Sequence, residues 1–125
     1  MTIQKCLDMV DRMKPNMMRD EEKLIFLNEI EGLVHDEMVM AHEHTAEEET
    51  MPVYDEDTDR GTALIVPAPY DMLYVWWLIC KIDLMNMEYD KYNNDRALFE
   101  NAYDQAGDWW TRHKMPIQKA REFRV

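Results

Sequence analysis

The stretch Tyr70–Met87 limits most strongly how this chain can fold. It reads Tyr70-Asp-Met-Leu-Tyr-Val-Trp-Trp-Leu-Ile-Cys-Lys-Ile-Asp-Leu-Met-Asn-Met87 and is apolar on nearly every helical face. A helix wetted on one side needs only an apolar stripe, so this one must be enclosed on most sides, and with more to hide than one small domain easily covers it is expected to be covered in part by copies of the chain. Its unbroken apolar run, Met72–Cys80, is bracketed by Asp71, Lys81 and Asp83, well short of the ~20 residues a membrane span needs. No charged segment followed by an apolar one opens the chain as a secretion signal would, so a soluble intracellular protein is expected.

The next stretch carries Tyr89, Tyr92, Arg96, Phe99, Tyr103, Ala106, Trp110 and His113, spaced alternately by three and four. That is a heptad seam, the pattern of a helix lying lengthwise against a neighbour. Asn86–Asp90 is polar enough to hold a bend, so the two stretches are expected to form an antiparallel pair, with one continuous rod as the alternative. Upstream, Thr2 can cap a short helix with Ile3, Cys6, Leu7, Val10 and Met13 on its apolar face, and Pro15 ends it. Asp20 reads as the cap of a second helix, with Leu24, Leu27, Ile30, Val34, Met38 and Ala41 as its buried stripe. Glu29, Glu31, Asp36 and Glu37 are assigned to its wet side. Gly32 within it points to a close helix approach.

Between His42 and Thr62 the periodicity is lost. Acid-rich Glu47–Glu49 and Asp55–Asp59 predict a long exposed loop kept mobile by charge repulsion. Thr62-Ala-Leu-Ile-Val66, β-branched and flanked by Gly61 and Pro67, is the one credible strand, with Met51–Tyr54 as its hairpin partner. Pro69 and Asp71 suit the start of the central helix, and Pro116 stops the last one. The expected fold is mainly all-α, a bundle of about four helices ending in two long antiparallel ones. A small β-hairpin or extended-loop insertion occupies about 43–68, and a basic tail about 115–125. Residues 1–125 form a single helical domain, as their number allows.

The formal net charge of −12 argues against sequence-independent binding to nucleic acid and against anionic membranes. No sequence-specific nucleic-acid binding is expected either. Beyond Trp110, however, Arg112, Lys114, Lys119, Arg121 and Arg124 are opposed only by Glu122, so a basic tail follows an acidic body. Twelve methionines fit core filling or an adaptable contact surface. Cys6 and Cys80 read as two buried free thiols.

No catalytic constellation is found, and no catalytic, cofactor-binding or metal-binding residue is assigned. Asp55, Asp57 and Asp59 alternate as in a calcium loop, but Arg60 and Val66 occupy the places of the glycine and glutamate such a loop requires. His35, His42 and His44 with the nearby acids are the residues of an alternative reading, a metal-binding helical protein or enzyme, though no fourth ligand is placed for a tetrahedral site. Serine is absent, and neither cysteine has an activating neighbour in sequence. The tandem pairs Trp76–Trp77 and Trp109–Trp110 are different. Neighbours on a helix point ~100° apart, so one tryptophan of each pair should face a second surface. These four and Arg96, which can stack on Tyr92 or Phe99, are the candidate oligomer or partner contacts.

The string Leu64-Ile-Val-Pro-Ala-Pro-Tyr-Asp-Met-Leu-Tyr74 carries a family resemblance. It continues in Lys81-Ile-Asp, Glu88-Tyr-Asp-Lys-Tyr-Asn-Asn, Ala97-Leu-Phe and Ala102-Tyr, with Ile30-Glu-Gly and His42-Glu upstream. Together these resemble small virion morphogenesis proteins of tailed phages and prophages of Gram-positive bacteria, similar to head–tail connector (neck adaptor) proteins. The resemblance implies a non-enzymatic helical subunit that forms a homo-oligomeric ring and contacts portal, capsid or tail components. It implies a place in the virion, and in the host cytoplasm during assembly. No catalytic residues or cofactors come with it.

Overall fold

The computed structural model describes residues 1–117, so the part of the basic tail from Gln118 onward, including Lys119, Arg121 and Arg124, lies outside the described residues. Helix α1 (Ile3–Met13) buries Ile3, Cys6, Leu7 and Val10. The Thr2 hydroxyl caps it, accepting from the Lys5 amide at 3.2 Å. Helix α2 (Asp20–Val34) starts at its expected cap, one residue early. Arg19 holds the cap position without a side-chain bond, and Asp20, Glu21 and Glu22 fill the first turn, where the helix dipole favours anions. The helix runs on into a π-helical turn, His35–Val39, in which the Met40 amide donates to the His35 carbonyl. Leu24, Leu27, Ile30, Val34 and Met38 are buried as their spacing predicts, whereas Ala41, past the last turn, is exposed.

Helix α3 (Met72–Met85) is the hub, packed against α1, α2 and α4. Ion pairs from Met1 to Asp71 and from Lys14 to Asp83 show that α1 runs parallel to it. Pairing of Glu31 with Tyr74 and of Glu29 with Lys81 makes α2 antiparallel. Contacts of Trp77 with Phe99 and of Tyr70 with Trp109 do the same for α4 (Tyr89–His113). The expected helical pair is therefore present. Its heptad seam buries Phe99, Ala106 and Trp110, half-buries Tyr92, Arg96 and Tyr103, and leaves the end positions Tyr89 and His113 exposed.

The chain itself covers α3. Nine of its residues are buried, and only Leu84 and Met85, in its last turn, are exposed. The all-round apolar character is satisfied by three helices and the segment before it, without recourse to a second copy. The connection to α4, Asn86–Glu88, is a Schellman turn: the Glu88 amide donates to Asp83 O at 2.9 Å and the Met87 amide to Leu84 O at 3.1 Å. Met87 takes the left-handed conformation, φ 57°, usually left to glycine.

The expected β-hairpin is not there. Among the described residues there is no strand, only isolated bridges between Thr2 and Ala63 and between His42 and Pro116. Thr62–Val66 makes one isolated bridge, at Ala63, and bends at Ile65 and Val66, and its amides find other acceptors. Leu64 donates to Met1 O at 2.9 Å, Ile65 to the Glu31 carboxylate at 3.0 Å and Val66 to the Tyr74 hydroxyl at 3.0 Å. Met51–Tyr54 pairs with α2 instead: the Tyr54 amide and carbonyl each bond the Asn28 side-chain amide at 2.8 Å. The acidic loop is thus pinned at Tyr54, which is buried, rather than held off by repulsion. Gly32 faces the Met51 side chain from this loop, not a neighbouring helix.

Candidate functional site

The most unusual polar feature is Glu31. Expected on the wet side of α2, it is completely buried. Its Oε2 accepts from the Tyr54 hydroxyl at 2.8 Å and the Ile65 amide at 3.0 Å, and its Oε1 accepts a short bond from the Tyr74 hydroxyl. Burial pushes the Glu31 carboxyl above its ordinary range, while the three donors pull it back. With three donors on its two oxygens, the carboxylate has no exposure to solvent. The arrangement joins α2, α3, the loop and the Thr62–Val66 segment through one carboxylate.

A second buried carboxylate sits at the other end of α3. Asp83 is fully enclosed, with Lys14 Nζ 2.7 Å from its Oδ1, yet neither oxygen receives a well-aligned hydrogen bond. Lys14 also reaches Glu88 at 3.0 Å, and Glu88 reaches Lys91 at 2.6 Å. The bond to Lys91, then those from Lys14 and Asn86, hold the Glu88 carboxyl down at about 2. Asp95 of α4 moves the other way: burial first, then Asp83, pushes its carboxyl up to about 6.

The candidate contact residues divide between the interior and the surface. Trp77 and Trp110 are buried, while Trp76 and Trp109 are half-buried, so the tandem pairs split as helical geometry requires. Trp77 packs on Phe99 at 4.9 Å between ring centres, with Lys81 over its ring at 4.4 Å and Arg96 at 5.9 Å. Its Nε1 is buried without an acceptor. Arg96 is half-buried and bonds Glu100 at 3.0 Å and the Tyr92 hydroxyl at 3.4 Å. Trp109 stacks on His113 at 4.7 Å and meets Trp110 edge-on at 4.9 Å. The five residues therefore do not form one surface: Trp77 and Arg96 lie near the middle of the α3–α4 pair, and Trp109 and Trp110 near its far end.

The histidines are engaged by the backbone. His35 Nε2 lies 2.7 Å from Glu48 O, His42 Nδ1 2.7 Å from Met38 O, and His44 Nδ1 2.7 Å from His42 O. Among the described residues no group of three His, Cys, Asp or Glu side chains stands where it could hold one metal ion. Asp55 and Asp59 turn inward on their own loop, accepting from the Asp57 and Gly61 amides at 2.9 and 2.8 Å. Cys6 and Cys80 are buried free thiols, both pushed up to about 12, chiefly by burial. A thiol held that high is protonated at neutral pH and a poor nucleophile.

What sequence reasoning missed is the apolar surface at the α3–α4 turn. Met17 is 98% exposed, Met87 72%, Tyr89 60% and Met85 55%, with Leu84 and Met13 also exposed. Met17 and Met85 line one depression with Met18 and Ile82, beside the turn that carries Met87 and Tyr89. The signal was the methionine count combined with the one break in the apolar helix, since a chain reversal leaves its own apolar residues without a neighbour. Among the described residues no helix is long and apolar enough to cross a membrane. No family model matches the chain, and no curated protein or solved structure matches it either.

Proposed function

We propose that the chain is a non-enzymatic structural subunit that binds copies of itself, and that it serves as a head–tail connector (neck adaptor) protein of a tailed phage or prophage. In this reading it forms a ring against portal, capsid or tail components, in the virion and, during assembly, in the host cytoplasm. One observation carries the contact part: the exposed apolar end formed by Met17, Met85, Met87 and Tyr89. Exposed methionines at the tip of a bundle adapt to a partner's shape, and an apolar patch rimmed by charge marks contact surfaces. The charged rim is supplied by Glu22, Glu88, Asp90 and Lys91, which line the same depressions. Ile25, Leu33, Met51 and Val53 are a second exposed apolar set, along α2 and its loop. Two unlike patches on one subunit are what a head-to-tail contact needs, and such contacts close into rings. The phage assignment itself rests on the resemblance of the Leu64–Tyr74 string and its continuations.

Light scattering of the purified protein, alone and with portal protein, tests the reading. The expected result is a species at a multiple of 15.1 kDa, formed alone or on adding portal. Met17→Glu with Met85→Glu should return it to a single chain while leaving the helical circular dichroism unchanged. A monomer at every concentration that ignores portal overturns the proposal.

A further inference from the structure

Helices α2 and α4 both pack on α3, and a trough is left between α4 and the end of α2. One half, about 230 Å³, is floored by Trp77 and Phe99 and bounded by Leu33. The other, about 470 Å³, opens beside Met38, His42 and Gly107. Glu37, Tyr103 and Asp104 line both halves, and the Tyr103 hydroxyl reaches across to donate to Glu37 at 3.0 Å. The α4 wall runs from Arg96 to Thr111, roughly 22 Å. Its charge is of one sign. Glu100, Asp104 and Asp108 recur every fourth residue along α4, with Glu37 on the π-helical turn. Like charges at that spacing repel and weaken a helix. The nearby cations do not cancel them. Arg96 pairs with Glu100 at 3.0 Å, Lys81 lies on the Trp77 ring and pairs with Glu29 at 3.1 Å, and Arg112 reaches the Tyr70 hydroxyl at 3.4 Å. No cation of the described residues pairs with Glu37, Asp104 or Asp108. Gly107 lies in the same wall, with nothing within 4 Å of where its side chain would begin. The packing of the described residues therefore does not call for a glycine, which weakens a helix interior but lets another backbone come close.

The last described residues lie beside this trough. The Ile117 amide donates to Ala41 O at 2.9 Å and the Glu43 amide to Met115 O at 2.8 Å, so Pro116 bridges His42, which lines the trough. The bridge is antiparallel and directs the chain back along the π-helical turn toward Glu37. The residues that follow carry Lys119, Arg121 and Arg124 against the single acid Glu122. Extended, residues 118–125 reach at most ~28 Å, enough to follow the trough to its far end. We propose that the basic segment 118–125 docks in this trough of its own chain, its cations set against Glu37, Asp104, Asp108 and Glu100 and its backbone crossing α4 at Gly107. Charge of opposite sign and a tether that begins at the trough's edge both favour the segment over any untethered occupant. The site is separate from the exposed apolar end and does not depend on contacts between subunits.

Paramagnetic broadening in the full chain is the test. Cys6 and Cys80 are buried, so a nitroxide can be attached selectively to Val125→Cys. In nitrogen-15 spectra the amides of residues 96–108 should lose most of their intensity, while those of α1 keep theirs. The loss should disappear when Lys119→Glu, Arg121→Glu and Arg124→Glu are combined, and should fade in about 1 M salt, where charges are screened beyond about 3 Å. Gly107→Gln, which sets a side chain in the trough and favours the helix, should abolish it too, with the helical circular dichroism unchanged. In a mixture of nitroxide-bearing chains without nitrogen-15 and nitrogen-15 chains without nitroxide, no broadening is expected. Broadening that is absent from the parent, survives the charge reversal or Gly107→Gln, or arises between chains in the mixture overturns the proposal; the last result would assign the trough to the tail of a second copy.

Discussion

The Tyr74 hydroxyl of α3 donates to the buried Glu31 carboxylate of α2 while accepting from the Val66 amide, so one side chain bonds a helix on one side and the Thr62–Val66 segment on the other. Tyr74→Phe removes both bonds. Hydrogen bonds to charged groups contribute about 1.5–3 kcal/mol, and the Val66 amide is left without an acceptor. A loss of about 3 kcal/mol in urea denaturation is expected. Tyr54→Phe removes one bond to the same carboxylate and should cost about half as much. A double variant that loses less than the sum of the two would confirm that both act through Glu31.

Met87 sits at φ 57° with its side chain in solvent. A left-handed conformation costs a residue with a Cβ roughly 1–2 kcal/mol, of which glycine gives back a part through its freer unfolded chain. Met87→Gly should therefore raise stability by about 1 kcal/mol, seen as a higher urea midpoint with unchanged slope.

Lys14 is the only cation in contact with Asp83 among the described residues. Lys14→Met leaves a buried carboxylate without its counter-charge and should cost about 3 kcal/mol at pH 7.5. Adding Asp83→Asn to that variant should recover part of the loss, because the uncompensated charge goes with it.

The pH dependence of stability has a defined sign. Asp95 is held at about 6 in the fold against an ordinary 3.8, so the folded chain keeps a proton that the unfolded chain has released. The resulting stability is fully present below about pH 4 and is lost as pH rises through about 6. Glu31, also raised, acts in the same direction. Because Asp95 is partly exposed, solvent reduces the effect to about 1 kcal/mol. Denaturation at pH 7.5 should show Asp95→Asn more stable than the parent by that amount, with the gap closing near pH 4.

The helices were legible because their evidence is local. Alternating spacings of three and four along Tyr92–Trp110 locate the α3–α4 contact, whereas the all-round apolar α3 calls for enclosure without saying what supplies it, and α1, α2 and α4 stand where copies of the chain were expected. Glu31 shows where local reading fails. Positions 24, 27, 31, 34 and 38 are also spaced three and four, so the pattern placed Glu31 on the buried face. Its charge argued for water, and only Tyr54, Ile65 and Tyr74, 23 to 43 residues away, reverse that. Thr62–Val66 fails for a related reason. β-branched residues select extended backbone, but whether that backbone pairs with a strand depends on which acceptors the fold brings to it. The exposed apolar end was missed because burial at a turn depends on what packs beyond it.

The amides of Leu64, Ile65 and Val66 have their acceptors on Met1, α2 and α3 in turn. No local fraying frees all three, since each is released by the departure of a different element. Their deuterium uptake should follow the slowest, whole-molecule opening, although a five-residue segment outside any helix would ordinarily exchange early. A proteolytic nick beside Pro67 would then require the bundle to come apart first, which makes this stretch of irregular backbone a gauge of cooperativity for the entire domain.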